Sequence, residues 1–161
     1  CLFTYTRYPF VSWIIFIPLL WVAYSTWGYR LMNPIRAPHN VFAAIEQIIS
    51  PKSDIALIGL KEQFLLFSPY STTHFGYHTT NEEQAKAAWL WLQRADNRFV
   101  LVNKDIPIPC FDLNFAIPVG FAHRVNWALL STDSLMPSCD KPESPINEYH
   151  YQPVIESRPG K

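Results

Sequence analysis

Asp54-Ile55-Ala56-Leu57-Ile58-Gly59-Leu60 is the stretch on which the fold turns. Six apolar or small residues follow the aspartate without interruption, too few for a core helix and without a polar face. They read as a strand, Ile55 to Leu60, covered on both faces. Upstream, Val41, Ile45, Ile48 and Ile49 recur at helical spacing and predict a helix over 41–49, with Asn40 as its N-cap and Pro51 ending it. Downstream, Phe64-Leu65-Leu66-Phe67 fits a short helix and a second strand equally, and Thr72 to Tyr77 reads as a short strand. Thr80-Asn81-Glu82-Glu83 matches a capping box, opening a helix from Asn81 to about Ala95 that buries Ala85, Ala88, Trp89 and Leu92. Strands follow at Arg98 to Val102, Val119 to Phe121 and Val125 to Leu130, with a proline-bearing loop over Asp105 to Pro109. Helices alternating with apolar strands predict a small α/β sandwich over residues 31–131.

Residues 1–30 have a different character. Between Tyr8 and Tyr29 there is no Asp, Glu, Lys or Arg. A helix of that length reaches roughly 33 Å, enough for a hydrocarbon core of about 30 Å. Tyr5, Tyr8, Phe10 and Trp13 on one side, and Tyr24, Trp27 and Tyr29 on the other, suit the two interfaces. Arg7 and Arg30 close the segment, and Pro18 is tolerable within it. A signal peptide would have a shorter apolar run and a small-residue cleavage site, and a core helix would show a polar face. The expectation is one transmembrane helix with the lipid bilayer as its partner. Residues 31–38, with Pro34 and Pro38, read as a linker. Residues 132–161 carry five prolines and few large aliphatics, and read as a disordered tail.

The 161 residues hold 13 basic and 13 acidic side chains, a balance that argues against nucleic acid as a partner. Arg7 before the span against Arg30 and Arg36 after it votes weakly for a cytoplasmic domain. Cys110 and Cys139 could pair in an oxidising compartment or remain two free thiols. The chain opens on Cys1, which reads as a piece of a longer protein.

Few residues suggest chemistry. No Gly-rich phosphate loop, Cys-x-x-Cys, Gly-x-Ser-x-Gly or His-Glu-x-x-His occurs, and no cofactor is implied. His74 and His78 lie four apart on what reads as extended chain, which spreads them and leaves no third ligand, so no metal site is expected. Asp112 and Asp133 have no partner for acid/base work. Lys61, Glu62 and Gln63 form the main candidate cluster, because they directly follow the buried strand, where α/β sheets present functional groups; a solvated turn is the competing reading. His74, His123 and Arg124 are secondary candidates, and no catalytic residue is assigned.

An ordered series carries a resemblance: residues 58–66, His74-Phe75-Gly76-Tyr77, Ala88-Trp89-Leu90, Arg98-Phe99-Val100-Leu101-Val102, and Gly120-Phe121-Ala122-His123-Arg124-Val125-Asn126-Trp127. It resembles the C-terminal end of bacterial GT-C membrane glycosyltransferases related to the lipid A aminoarabinose transferases and protein mannosyltransferases. The resemblance covers about residues 8–131, as last spanning helix plus periplasmic domain. It implies a polyprenyl-phosphate sugar as donor, an inner-membrane location with the domain in the periplasm, and an upstream transmembrane portion of the same or a companion protein as partner. In that family the catalytic carboxylate lies in an earlier loop, so this chain alone is expected to be inactive. The alternative expectation is a single-pass membrane protein whose domain binds a partner.

Overall fold

The computed structural model describes residues 9–28, 30–31, 38–59 and 61–153. Its centre is a six-stranded mixed sheet in the order β4-β5-β3-β1-β2-β6. The strands are β1 (Asp54–Leu57), β2 (Ser71–His74), β3 (Arg98–Asn103), β4 (Ile117–Ala122), β5 (Val125–Leu130) and β6 (Tyr149–Tyr151). β1 runs parallel to both β2 and β3, while β5 is antiparallel to β3 and β4, and β6 to β2. The α/β architecture matches the sequence reading.

The period of two along a strand divides the core into two layers. Ala56, Ile58, Val100, Val102, Ala128 and Leu130 face one side, where they bury Ala85, Ala88, Trp91 and Leu92 of helix α4 (Asn81–Leu92). Ile55, Leu57, Leu101 and Leu129 face the other, against Val41, Phe42 and Ile45 of helix α2 (His39–Ile45) and Phe64 of helix α3 (Glu62–Phe67). β1 is therefore buried on both faces, which is why its sequence has no alternation. Residues 64–67, open between two states in the sequence, are helical, and the helix begins at Glu62. The strand expected over 72–77 is β2, ending at His74, and Gly76 beyond it takes a φ of 93°. A Cβ there would stand 2.9 Å from Thr79 Oγ1, so glycine is required.

Several boundaries differ. α2 starts at His39 with Pro38 in the cap position and no side-chain cap, so Asn40 lies within the helix; after Ile45 the chain continues to Ile49 in turns. The capping box of α4 is half formed. Thr80 Oγ1 accepts from the Glu83 N–H at 3.3 Å, but the Glu83 carboxylate turns to Lys86 Nζ, 2.7 Å away, and accepts the Glu143 N–H at 3.0 Å. α4 ends at Leu92 and buries Trp91 in the core, with the Arg98 guanidinium 4.5 Å from its ring centroid, while Trp89 packs at the margin of that core.

The expected disordered tail is corrected over 132–153. After a short 3₁₀ turn at Thr132–Ser134 the chain forms a strap across α4 and then adds β6 to the sheet. The Met136 carbonyl accepts from Trp89 Nε1 at 3.1 Å, Cys139 is disulfide-bonded to Cys110 with Cα atoms 5.1 Å apart, Ile146 packs on the core, and Glu148 meets Arg94 at 2.7 Å. Prolines exclude helix from this stretch without excluding order, because a disulfide and apolar anchors hold extended chain against the domain. Residues 154–161 of the tail lie outside the described residues.

The expected span receives a different form. Helix α1 (Pro9–Ala23) has 15 residues, about 22 Å at the α-helical rise, and the backbone changes to a π-helical turn over Tyr24–Gly28. Ser25 Oγ and Thr26 Oγ1 both donate to the Val22 carbonyl, at 3.2 and 2.6 Å, and side-chain bonding of that kind disturbs the ladder where α gives way to π. Among the described residues no helix is long and apolar enough to cross a membrane. Tyr5, Arg7, Tyr8, Tyr29, Pro34 and Arg36 lie outside the described residues.

Candidate functional site

The two neighbouring parallel strands at the sheet centre release the chain to opposite faces. After β1 it turns to α3, on the same side as α2; after β3 it turns to Ile106, Ile108 and Phe111, which pack on the α4 side. Adjacent strand ends that diverge in this way leave a crevice at the carboxyl edge, the place where open α/β sheets bind ligands. Here the crevice is a cleft of about 360 Å³. Gly59 and Lys61 border it from the β1 end, Asn103 from the β3 end, Tyr77 and Thr79 from the loop after β2, and Asn81 from the start of α4.

Gln84 holds this arrangement together. It is 3% exposed, and its Oε1 accepts the Gly59 N–H at 2.9 Å while its Nε2 donates to the Gly76 and Thr79 carbonyls at 3.2 and 2.7 Å. One amide thus ties the loops after β1 and β2 to α4. Gly59, at a φ of 73°, supplies the left-handed turn by which the chain leaves β1.

The structure divides the Lys61-Glu62-Gln63 cluster. All three are exposed, but only Lys61 borders the cleft; Glu62 and Gln63 form the first turn of α3. His123 and Arg124 make the two-residue turn between β4 and β5, with φ of 54° and 63°, a pair of positive values that hairpins usually assign to Asn-Gly. The His123 ring lies 6.0 Å from Phe64, and its Nε2 is buried without a hydrogen-bond partner among the described residues. Burial, and then the Lys61 charge, hold this imidazole below its usual pKa, which brings two sequence candidates within electrostatic reach of each other.

His74 stands apart, on β2. Its ring stacks on Tyr149 of β6 at 5.0 Å, its Nδ1 accepts the Gly76 N–H at 3.3 Å, and burial lowers its pKa. His78 packs edge-on against Tyr77. Among the described residues no group of three His, Cys, Asp or Glu side chains could hold a metal ion. Cys110 and Cys139, bonded to each other, serve the strap rather than the cleft.

Sequence reasoning missed Gln84, Tyr77, Thr79, Asn81 and Asn103. Gln84 had a readable signal: it occupies the apolar stripe of α4 with Ala88 and Trp91, at i, i+4 and i+7, and a polar residue in a buried stripe needs hydrogen-bond partners. The others come from separate loops that only the sheet assembles. The chain matches no family model, and no curated protein or solved structure aligns with it.

Proposed function

We propose that this chain is the membrane-anchored C-terminal portion of a polyprenyl-phosphate-sugar glycosyltransferase, non-catalytic by itself, with its α/β domain on the periplasmic side of a bacterial inner membrane. The observation that carries the reading is an uncharged helical segment joined to an α/β domain with a polar cleft at its carboxyl edge. Over Pro9–Gly28 the side chains of Leu19 and Trp21 are 62% and 67% exposed, a surface that favours lipid over water. The Cys110–Cys139 disulfide supports an oxidising compartment. The residues bordering the cleft include no carboxylate, so the base that sugar transfer requires must come from elsewhere in the enzyme.

The genomic reading frame upstream of Cys1 tests the proposal. Several further apolar helices and an aspartate-bearing loop between the first of them support it; their absence overturns it.

A second reading, a single-pass protein whose domain docks a partner, is favoured by α3. Leu66 is 71% and Phe67 47% exposed there, and the Phe67 ring meets His39, 4.7 Å away, where the chain enters the domain. Recovery of one stoichiometric partner from detergent-solubilised membranes, lost on Leu66→Asp, would favour this reading; a lone monomer would remove it.

A further inference from the structure

Two acceptors at the switch-point cleft are engaged within the protein: Gln84 Oε1 takes the Gly59 N–H, and Asn103 Oδ1 takes the Asp105 N–H at 2.8 Å. Among the described residues the Lys61 ammonium, the Tyr77 and Thr79 hydroxyls, the Asn81 amide and the Asn103 amide nitrogen donate to no protein group. The charge is uneven. Lys61 is the one charged residue bordering the cleft, and no ion pair engages it among the described residues. Asp105, the acid on the loop after β3, is committed to Asn126, accepting its N–H at 3.0 Å and its amide nitrogen at 2.8 Å.

A concavity with spare donors, one unpaired cation and no carboxylate complements a ligand rich in acceptor oxygens and negative charge. The volume of about 360 Å³ lies at the small end of the range for molecular ligands, about 300–1,000 Å³. We propose that this cleft binds a phosphate group carried on a small polar molecule of sugar-phosphate size, with Lys61 as its charge partner and Asn81 and Asn103 as neutral donors. The phosphate belongs either to a free sugar phosphate or to a lipid headgroup. The proposal is independent of sugar transfer, since it rests on the cleft alone.

The full chain in phosphatidylcholine nanodiscs tests it, read by amide NMR shifts at Gly59, Thr79, Asn81 and Asn103. The probes are inorganic phosphate, glucose 1-phosphate and glucose, with nanodiscs containing phosphatidic acid in parallel. The expected result is saturable shifts at these four amides with phosphate-bearing probes and none with glucose. Lys61→Ala should weaken binding about tenfold, the loss of one charge-assisted contact, and Lys61→Arg should largely retain it. Shifts with phosphatidic acid alone support the site and assign its phosphate to a headgroup. Shifts with glucose equal to those with glucose 1-phosphate, no shift with any phosphate probe, or unchanged binding in both Lys61→Ala and Asn81→Ala would overturn it.

Discussion

Gln84 makes three hydrogen bonds from a position 3% exposed. Gln84→Leu keeps the volume of the side chain but leaves the Gly59 N–H and two carbonyls without it. The variant should lose about 2–3 kcal/mol of unfolding free energy in urea titration, with amide exchange accelerated at Gly59. His74 and His123 govern the response to acid. Both are held below the ordinary imidazole value of 6.5 by burial, and His123 also by Lys61. Between 6.5 and the folded values the unfolded chain binds more protons than the native one, so stability must fall as pH drops through that window. Urea titration should give a lower stability at pH 5.5 than at pH 7.5. His74→Phe with His123→Asn, the latter chosen for a residue that tolerates positive φ, should flatten the slope. The depressed carboxyls of Glu83 and Asp105 act at lower pH, where protonation removes their bonds to Lys86 and Asn126. A slope unchanged in the double variant would assign the effect to other groups.

Among the elements, α4 tests the local rules most directly. Thr80 caps it from one side only, and Thr80→Ala should cost about 1 kcal/mol in the same titration. The sequence pattern makes Glu83 the return half of the box. It was redirected because Lys86 lies one turn on and the strap brings the Glu143 N–H within reach. No local pattern announces a donor 60 residues away. The strap is the larger departure. Its sequence resembles that of a disordered tail, since proline content and scarce aliphatics are what local composition reports. Its order comes from partners on other elements: Cys110, Trp89, Arg94 and the edge of β2. Cys139→Ser should therefore lower stability by about 2–4 kcal/mol, as expected for a bridge across a sequence separation of 29. It should also open Tyr149 to chymotrypsin. Unchanged proteolysis would mean that β6 holds the strap unaided.

At the scale of the molecule, the chain joins an uncharged helical segment to a two-layered α/β core. Pro9–Gly28 is uncharged throughout, yet its α-helical part stops at Ala23, where Ser25 and Thr26 claim the Val22 carbonyl. If the segment anchors the protein as proposed, the chain should stay with membranes through alkaline carbonate extraction. Ile17→Arg with Leu20→Arg should release it without moving the unfolding midpoint of the domain. Release of the unaltered chain by carbonate would remove the anchor. The two rows of sheet residues make the domain itself legible. Ile55 and Leu57 face α2 and α3 while Ala56 and Ile58 face α4, so a continuous apolar run already implies two covering layers.

The buried central strand, the capped helix after it, β5 from Val125 to Leu130 and the uncharged N-terminal segment follow from residues close together in the chain. Assembly of the elements around the sheet settled the rest. It split Lys61 from Glu62 and Gln63 at the start of α3, and it set Lys61 near His123, which lies 62 positions later. It also gathered Gly59, Thr79, Asn81 and Asn103 around one cleft. The physical reason is the strand order: β3 returns beside β1, so the ends of two strands distant in sequence leave the sheet side by side toward opposite faces.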